Sequence, residues 1–360
     1  REIVVVGWSY GVNSAARWMA THRDLPLTAR IAVNGTLYPV SDTMGIPAAI
    51  YRGTLENLSV RNVEKFMMRM CGGGKAYKEY CLQQPTDTAV RTIDDLREEL
   101  ESFGNADTPC EMWDKAIVSD NDQIIPPENQ RECWRRHALV TLNVTGPHYP
   151  DFNALLRMAV TDKMTVGKRF HRAQQTYNAN ATHQHKVVDH AMKLVSGLCI
   201  APGCKLLEIG CGTGLLTEPA LRHLSPAEAT LIDLHITPQA KEIASQARHN
   251  NIQVNLIEAD AESALRSIPE GSIDIVLSAS TIQWLNSART FFSLLAPLMK
   301  SGSTAVITTY GPDTMREIHS TLGSDNSFLT LEALLKAIPE NLFEIEHSEE
   351  TRAILTFTTP

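Results

Sequence analysis

The sequence contains no run of 18 apolar residues, no excess of basic residues and no cysteine pair at metal-binding spacing. The first absence predicts no membrane association, and the net charge of −8 predicts no nucleic-acid partner. The seven cysteines lack C-x-x-C spacing, so we expect no metal site and a reducing, cytoplasmic location. The remaining composition, 43% hydrophobic and 21% charged, is typical of globular domains.

A serine lies at the centre of a glycine-flanked motif near the start of the chain. Residues 7–11 read G-W-S-Y-G and follow an apolar run at 3–6, which predicts a strand. This is the pattern of a nucleophile elbow, in which a tight turn between a strand and a helix exposes the serine hydroxyl. Gly7 and Gly11 are expected to leave room for that turn around Ser9.

Acid and histidine partners for Ser9 occur downstream in the order that this motif requires. A serine hydroxyl is a weak nucleophile until a histidine accepts its proton and a carboxylate orients the histidine. Asp122 and His148 each follow a predicted strand, and Asp120 is the alternative acid. The predicted catalytic set is therefore Ser9, Asp122 and His148, with the backbone N–H of Tyr10 as a donor to the oxyanion.

The rest of the first half predicts an incomplete hydrolase fold. Residues 43–108 have a polar, helical pattern and predict a cap inserted over the site. Hydrolases with this elbow have several strands before it, so we expect residue 1 to be an internal point of a longer domain. Residues 1–158 are thus predicted to be a partial α/β-hydrolase domain. Its further strands are predicted at residues 30–35, 115–119 and 138–144.

The second half alternates between apolar strands and amphipathic helices, the pattern of a doubly wound parallel sheet. A polar helical arm, residues 162–184, precedes the sheet. The predicted strands are 205–209, 229–233, 254–258, 273–278, 303–309 and 352–358. The predicted helices are 186–197, 215–222, 238–249, 261–268 and 288–299.

A glycine-rich loop follows the first strand of this second sheet. Residues 208–214 read E-I-G-C-G-T-G, which differs from the G-x-G-x-x-G spacing of dinucleotide binders. S-adenosylmethionine has no pyrophosphate, so a loop that clears its ribose and methionyl part is sufficient. Residues 159–360 are therefore predicted to be a Rossmann-like class I methyltransferase domain. The predicted cofactor site comprises Glu208, Gly210, Gly212, Gly214, Asp233, Asp260, Glu262 and Ser278.

Several stretches of the second half carry a family pattern. They are residues 207–214, A-S-T-I-Q-W at 279–284, T-T-Y-G-P at 308–312, and an arm with Phe170, Tyr177 and Gln184. On these stretches residues 162–357 resemble the malonyl-(acyl-carrier protein) O-methyltransferases of biotin synthesis, the BioC family. The resemblance stops after the sixth strand, which predicts that this domain also lacks its end.

The first half carries a second family pattern. The stretches are the motif at 7–11, A-V-N-G-T at 32–36 with G-I-P at 45–47, G-T-L-E-N-L-S at 53–59 and G-P-H at 146–148. On these stretches residues 1–155 resemble the BioG type of pimeloyl-(acyl-carrier protein) methyl ester esterase.

The two resemblances imply two reactions and a shared partner. The second half would methylate the free carboxylate of malonyl-(acyl-carrier protein) with S-adenosylmethionine. The first half would hydrolyse the methyl ester of pimeloyl-(acyl-carrier protein). Tyr177, Gln184, Gln283 and Trp284 are the implied substrate contacts, and ordinary packing is the alternative for Tyr177 and Gln283.

The carrier protein is acidic, so each half is expected to present a basic surface to it. Alternatively, such clusters of basic residues can be the solvent-exposed face of a helix with no binding role. The two clusters are Lys163, Lys168, Arg169 and Arg172 in the arm, and Arg131, Arg135 and Arg136 in the first half.

Three other functions fit the same motifs. The chain can be a methyltransferase for small free carboxylic acids with an inactive, truncated hydrolase half. It can be an esterase whose degenerate methyltransferase serves as a docking module, or a fragment without activity. The intact acids Glu208, Asp233 and Asp260 argue against the degenerate methyltransferase.

Overall fold

The chain divides into two compact units, residues 1–160 and 161–360, close to the predicted border after residue 158. Among the described helices, none combines the length and the apolar character that crossing a membrane requires. The computed structural model describes residues 3–23, 25–83, 91–104, 112–163, 165–170, 172, 181–322 and 328–354.

The first unit is built on a four-stranded parallel sheet with the order β1-β2-β3-β4. Every residue of β3 is buried, as expected for a central strand covered on both faces. The structure confirms the four predicted strands of this unit, although β2 begins and ends a few residues before the predicted strand at 30–35. The strands are β1 (Ile3–Trp8), β2 (Leu27–Val33), β3 (Trp113–Ser119) and β4 (Ala138–Val144).

Helices of the first unit connect these strands and build the cap. The segment predicted to be helical between 43 and 108 contains four helices within its described residues, α2 to α5. Their apolar side chains form one cluster with Trp8, Tyr10 and Tyr149, so the cap packs beside the elbow. The helices are α1 (Gly11–Thr21), α2 (Ala48–Glu56), α3 (Val60–Met70), α4 (Gly74–Gln83), α5 (Ile93–Gly104), α6 (Pro127–His137) and α7 (Phe152–Ala159).

The second unit contains a five-stranded parallel sheet with the order β7-β6-β5-β8-β9. Because neighbouring strands are parallel, their carboxyl ends and the loops that follow lie along one edge. The strands are β5 (Lys205–Ile209), β6 (Glu228–Asp233), β7 (Gln253–Glu258), β8 (Ile273–Ala279) and β9 (Met299–Thr308). The helices are α8 (Thr182–Ser196), α9 (Thr217–Leu224), α10 (Pro238–His249), α11 (Ala261–Ala264), α12 (Ala288–Leu295), α13 (Arg316–Leu322) and α14 (Leu331–Ala337).

Several predicted elements of the second unit differ from the structure, including the helix predicted at 261–268, which becomes a 3-10 turn at Leu265–Ser267. The helix predicted to reach residue 299 changes to a 3-10 turn at Ala296–Leu298, where Pro297 cannot donate to a helical ladder. Strand β9 consequently begins at Met299 rather than at 303. Of the strand predicted at 352–358, residues 352–354 lie outside any strand, and the remainder is outside the described residues.

Candidate active sites

Ser9 occupies a strained turn between β1 and α1. Its φ of 55° lies in the left-handed region that non-glycine residues rarely adopt. A Cβ on Gly7 would lie 2.7 Å from Val12 Cα, so the turn requires glycine there. The expectation for Gly11 was wrong, because a Cβ at that position meets no described atom within 4 Å. Gly35 takes this role instead, since its Cβ would lie 2.3 Å from the carbonyl oxygen of Ser9.

The structure brings Ser9, His148 and Asp122 into one hydrogen-bonded chain. His148 Nε2 lies 2.9 Å from Ser9 Oγ, and His148 Nδ1 lies 2.7 Å from Asp122 Oδ2. Both His148 and Asp122 are buried, so water does not compete with their contact. This is the geometry in which a carboxylate orients an imidazole and the imidazole accepts a hydroxyl proton.

Asp122, rather than Asp120, contacts the histidine. Asp122 Oδ1 accepts from the backbone N–H groups of Ile124 and Ile125, at 2.8 and 3.0 Å. Its Oδ2 also accepts from Gln130 Nε2 at 2.7 Å, a contact that sequence reasoning missed. Asp120 is exposed and bonds to the loop at Thr145 and Gly146. Four donors therefore fix the position of both oxygens of Asp122.

Tyr10 lies at the N-terminus of α1, directly after Ser9. Its ring stacks on Phe103 of the cap at a centroid distance of 4.8 Å. Burial, followed by the nearby Tyr51, raises the pKa of the Tyr10 phenol far above its usual range. The side chain is thus a neutral part of the cap packing, and only its backbone N–H remains a predicted oxyanion donor.

The glycine loop of the second unit follows β5, with positive φ at all three glycines. The angles are 80°, 53° and 89° for Gly210, Gly212 and Gly214. A Cβ on Gly210 would lie 1.9 Å from Thr281 Oγ1, and one on Gly214 would lie 2.2 Å from Ile243 Cδ1. Packing against Thr281 therefore requires glycine at 210, whereas the Ile243 side chain can move away from position 214 and a Cβ on Gly212 meets no described atom within 4 Å.

Two carboxylates flank this loop, Glu208 buried and Asp233 half-buried. Burial, with the nearby Asp233, raises the pKa of Glu208 to about 8, and Glu208 Oε2 has no hydrogen-bond partner among the described residues. Burial also raises the pKa of Asp233, opposed by the N–H groups of His235 and Gly212 at 3.0 and 2.8 Å. A buried acceptor without a donor is costly, so this geometry suits a ligand that brings donors.

Asp260 and Glu262 follow β7 and bind an unexpected partner. Asp260 Oδ1 caps α11, and its Oδ2 lies 2.5 Å from Lys163 Nζ, which also pairs with Glu262. The assignment of Lys163 to an exposed docking surface was therefore wrong, because its side chain is only 12% exposed. Burial alone would lower the pKa of Lys163, but Glu262 and Asp260 outweigh it and raise that pKa.

The described part of the predicted arm before residue 171 contacts residues at the carboxyl edge of the sheet. Residues 165–170 are helical, and a Cβ on Gly167 would lie 3.8 Å from Leu234, which follows β6. The ring of Phe170 lies edge-on to Trp284, with centroids 6.1 Å apart. Lys168, Arg169 and Arg172 are exposed, whereas Tyr177 lies outside the described residues.

Polar residues cluster beyond β8 and β9. Ser280 has a φ of 55°, and its carbonyl accepts from Gln283 Nε2 at 2.6 Å. The Tyr310 hydroxyl bonds to Ser280 and Gln184; these bonds oppose the rise that burial causes in the pKa of Tyr310. Gln184 and Gln283 are thus in one network through Ser280, and Tyr310 joins it without having been predicted.

Two other predicted residues have largely apolar or internal contacts. Ser278 is buried and donates to the carbonyl of Ile209 at 2.9 Å, which ties β8 to the end of β5. Trp284 packs between Phe170 and Phe328, the latter at a centroid distance of 5.6 Å. Ser278 thus contacts the strand that leads into the glycine loop.

The exposed arginines of α6 already have partners. Arg135 and Arg136 pair with Glu132 at 2.8 and 3.0 Å, and Arg131 donates to Asn143 at 2.8 Å. Such exposed pairs are weak and remain open to exchange for an acidic partner.

Comparisons with known proteins match each unit separately and the chain as a whole. Residues 1–155 match the family described as "Pimeloyl-ACP methyl esterase BioG", and residues 207–307 match a "Methyltransferase domain" family. A malonyl-(acyl-carrier protein) O-methyltransferase of Bacteroides fragilis is 30% identical over 99% of the chain and 72% of its own length.

Two further relatives each match one unit. A malonyl-(acyl-carrier protein) O-methyltransferase of Prosthecochloris aestuarii is 32% identical over 56% of the chain and 75% of its own length. The crystal structure of BioG from Haemophilus influenzae is 34% identical, covers 42% of the chain and 68% of its own, and has a TM-score of 0.37.

Proposed function

Because the chain belongs to the malonyl-(acyl-carrier protein) O-methyltransferase family and has a BioG domain before that module, we propose that it performs two reactions of biotin synthesis. The second unit methylates the carboxylate of malonyl-(acyl-carrier protein). The first unit hydrolyses the methyl ester of pimeloyl-(acyl-carrier protein) after elongation. The observation that carries this proposal is the coexistence of a hydrogen-bonded Ser9–His148–Asp122 chain and a glycine loop flanked by Glu208 and Asp233.

The residues beside the loop fit S-adenosylmethionine. The unpartnered Oε2 of Glu208 suits a cationic amino group, and Asp233 at the end of β6 suits ribose hydroxyls. Asp260 is proposed to accept from the adenine amine while Lys163 balances the charge of the acid pair. When bound, the cofactor supplies an electrophilic methyl group.

The acceptor needs alignment rather than activation, because a carboxylate is already nucleophilic. We assign the Gln184, Gln283 and Tyr177 side chains to holding the malonyl carboxylate and the cofactor arm. In the described residues, Ser280 connects Gln283 to Gln184 through Tyr310. Methylation then removes a charge that would be costly to bury in the apolar pockets of elongating enzymes.

The first unit is proposed to be an α/β-hydrolase. His148 accepts the proton of Ser9 Oγ as the oxygen attacks the ester carbonyl carbon, and the Tyr10 N–H stabilises the oxyanion. Methanol leaves with the proton from His148, which gives an acyl-serine ester. Water, deprotonated by His148, hydrolyses that ester, releases the pimeloyl carboxylate and restores Ser9. The reducing cytoplasm is the proposed location.

The cofactor assignment is tested by calorimetric titration of the chain with S-adenosylhomocysteine. We expect micromolar binding, and a loss of about 100-fold or more in Asp233→Ala, because two ribose hydroxyls lose a charged acceptor. Asp274→Ala is the matched control, since Asp274 also accepts a backbone N–H but lies at the amino end of β8. Equal affinities of the Asp233→Ala variant and the parent would contradict the assignment.

The substrate assignment is tested by comparing methyl transfer to malonyl-(acyl-carrier protein), malonyl-coenzyme A and free diacids. The carrier-bound substrate is expected to have the highest kcat/KM. Equal turnover of a free diacid would favour the small-acid methyltransferase. For the first unit, hydrolysis of the methyl-pimeloyl carrier is compared with that of a free methyl ester.

Docking of the acidic carrier is proposed on the exposed arginines of each unit. Reversing both Arg169 and Arg172 to glutamate is expected to raise KM for malonyl-(acyl-carrier protein) about tenfold at low salt, with less effect at high salt. The same reversal of Arg135 and Arg136 changes charge equally in the other unit and should leave this KM unchanged. An unaltered KM in the Arg169/Arg172 variant would remove the docking proposal.

Stability of the second unit is expected to fall as pH rises from about 4.5 to about 8. In this window the unfolded chain releases the proton of Glu208, whereas the folded unit retains it. Glu208 therefore lowers the free energy of unfolding by about 1.4 kcal/mol for each pH unit. Glu208→Gln should remove that contribution in denaturant unfolding at pH 5, 6, 7 and 8, whereas Glu270→Gln at an exposed turn should keep it. Parallel pH profiles of the parent chain and Glu208→Gln would show that Glu208 is ionised when folded.

A further inference from the structure

Asn34 lies at the end of β2 in a conformation that few residue types accept. Its φ is 44°, and asparagine is among the residues that tolerate this left-handed region. The backbone N–H donates to the carbonyl of Ile117 at 2.9 Å, which ties β2 to β3. The side chain is completely buried, so all its polar atoms need protein partners.

The amide of Asn34 has four such contacts. The two hydrogens of Nδ2 are shared among three acceptors, the carbonyl of His148 at 2.9 Å, that of Pro147 at 3.2 Å and Ser119 Oγ at 2.9 Å. Oδ1 accepts from the backbone N–H of Ser119 at 2.8 Å. The orientation of the amide is therefore unambiguous. If its oxygen and nitrogen were interchanged, the amide oxygen would face the carbonyl oxygens of Pro147 and His148, and neither could donate a hydrogen bond to it.

The His148 carbonyl receives a second donor from the nucleophile's own strand. Trp8 Nε1 donates to it at 2.9 Å, and the Trp8 ring lies 5.5 Å from the His148 ring. Trp8 directly precedes Ser9. The His148 loop, which has no regular structure, is thus held to the ends of β1, β2 and β3 by two side chains.

We infer that Asn34 is a positioning residue for ester hydrolysis. It holds the His148 loop so that His148 Nε2 stays within hydrogen-bond distance of Ser9 Oγ. The inference rests on the proposed esterase function. A proton is transferred effectively only at hydrogen-bond distance, so a small shift of the loop lowers the rate without removing the binding surface. Asn34 acts through the loop and does not itself need to contact the substrate.

Asn34→Asp is the sharpest test. It keeps the size and the tolerance of positive φ, but it places an acceptor oxygen against the carbonyls of Pro147 and His148. We expect kcat for methyl ester hydrolysis to fall about 100-fold with KM changed less than about threefold. Asn34→Gly keeps the backbone conformation, deletes the amide and should lose about tenfold in kcat.

Asn13→Asp is the matched control. Asn13 is equally buried, and its Nδ2 donates to the carbonyl of Leu37 at 2.7 Å without contacting the His148 loop. We expect a comparable loss of thermal stability but a kcat within about threefold of the parent value. If hydrolysis declines in proportion to stability in both variants, or if Asn34→Asp and Asn34→Gly keep the parent kcat, the positioning role is wrong.

A fluorophosphonate probe separates failure of this inference from failure of the proposed substrate. The probe reports the reactivity of Ser9 without the carrier or the acyl chain. Slow labelling of Asn34→Asp and parental labelling of Asn13→Asp support the inference even if the parent does not hydrolyse the pimeloyl ester. If the parent chain is not labelled, Ser9 is not activated, and the esterase proposal and the inference both fail.

Discussion

Replacing Ser9 with alanine is expected to lower kcat/KM for methyl ester hydrolysis by roughly 10⁴- to 10⁶-fold. The expected effect is this large because His148 Nε2 has Ser9 Oγ as its partner at 2.9 Å, and no acyl-enzyme forms without that oxygen. Binding should persist, so the variant should retain the methyl-pimeloyl carrier as an unreacted complex. Release of free carboxylate, measured by mass spectrometry of the carrier, is the readout.

Ser14→Ala is the control for this variant, because Ser14 lies exposed on α1 close to the elbow. Methyl transfer by the same preparation provides a second control. Ser9→Ala should leave it unchanged, since the predicted cofactor residues belong to the other compact unit. Hydrolysis at the parental rate in Ser9→Ala would show that another group is the nucleophile.

Replacing Gly210 with alanine is expected to weaken S-adenosylhomocysteine binding by more than about 100-fold. The added Cβ would lie 1.9 Å from Thr281 Oγ1 and 2.7 Å from Thr281 Cβ, and the φ of 80° disfavours any side chain. Either the loop or the segment after β8 must move, and both lie at the predicted cofactor site. Calorimetric titration measures the effect directly.

Gly271→Ala is the control that separates the steric clash at residue 210 from the strain of a side chain at positive φ. Gly271 has a φ of 57°, but its Cβ meets no described atom within 4 Å, and it precedes β8 at the far end of the sheet. Its alanine variant should lose stability and keep affinity. The double variant Gly210→Ala/Thr281→Gly should recover part of the binding. Parental affinity in Gly210→Ala would refute the steric argument.

Local sequence pattern was sufficient to predict the parallel strands and to group Ser9, His148 and Asp122, which the structure brings into hydrogen-bond contact. These residues are recognisable because strand ends and loop context are properties of short segments. The preference for Asp122 over Asp120 depended on the residues that follow it. The structure places Asp122 against His148, with Asp120 bonded to another part of the loop.

The residues that sequence reasoning missed act through tertiary contacts that local sequence pattern does not reveal. Asn34 contacts the His148 loop, and Gln130 contacts Asp122 from the next helix. Gly35 crowds Ser9, yet nothing near residue 35 in the sequence indicates which chain segment lies beside it. Lys163 was misassigned for a related reason. Its position in a basic stretch does not indicate that its ammonium group pairs with two acids about 100 residues further along the chain.

The ion pairs of Lys163 determine how short a functional fragment of this enzyme can be. The matched methyltransferase model begins at residue 207, but the positive charge beside Asp260 and Glu262 comes from residue 163. A recombinant domain cut at the start of α8 would lose Lys163, which pairs with the Glu262 side chain where that side chain is only 3% exposed. A border drawn at the start of the family model would thus remove a charge that two acids of the sheet edge contact, and we expect a stable fragment to begin upstream of residue 163.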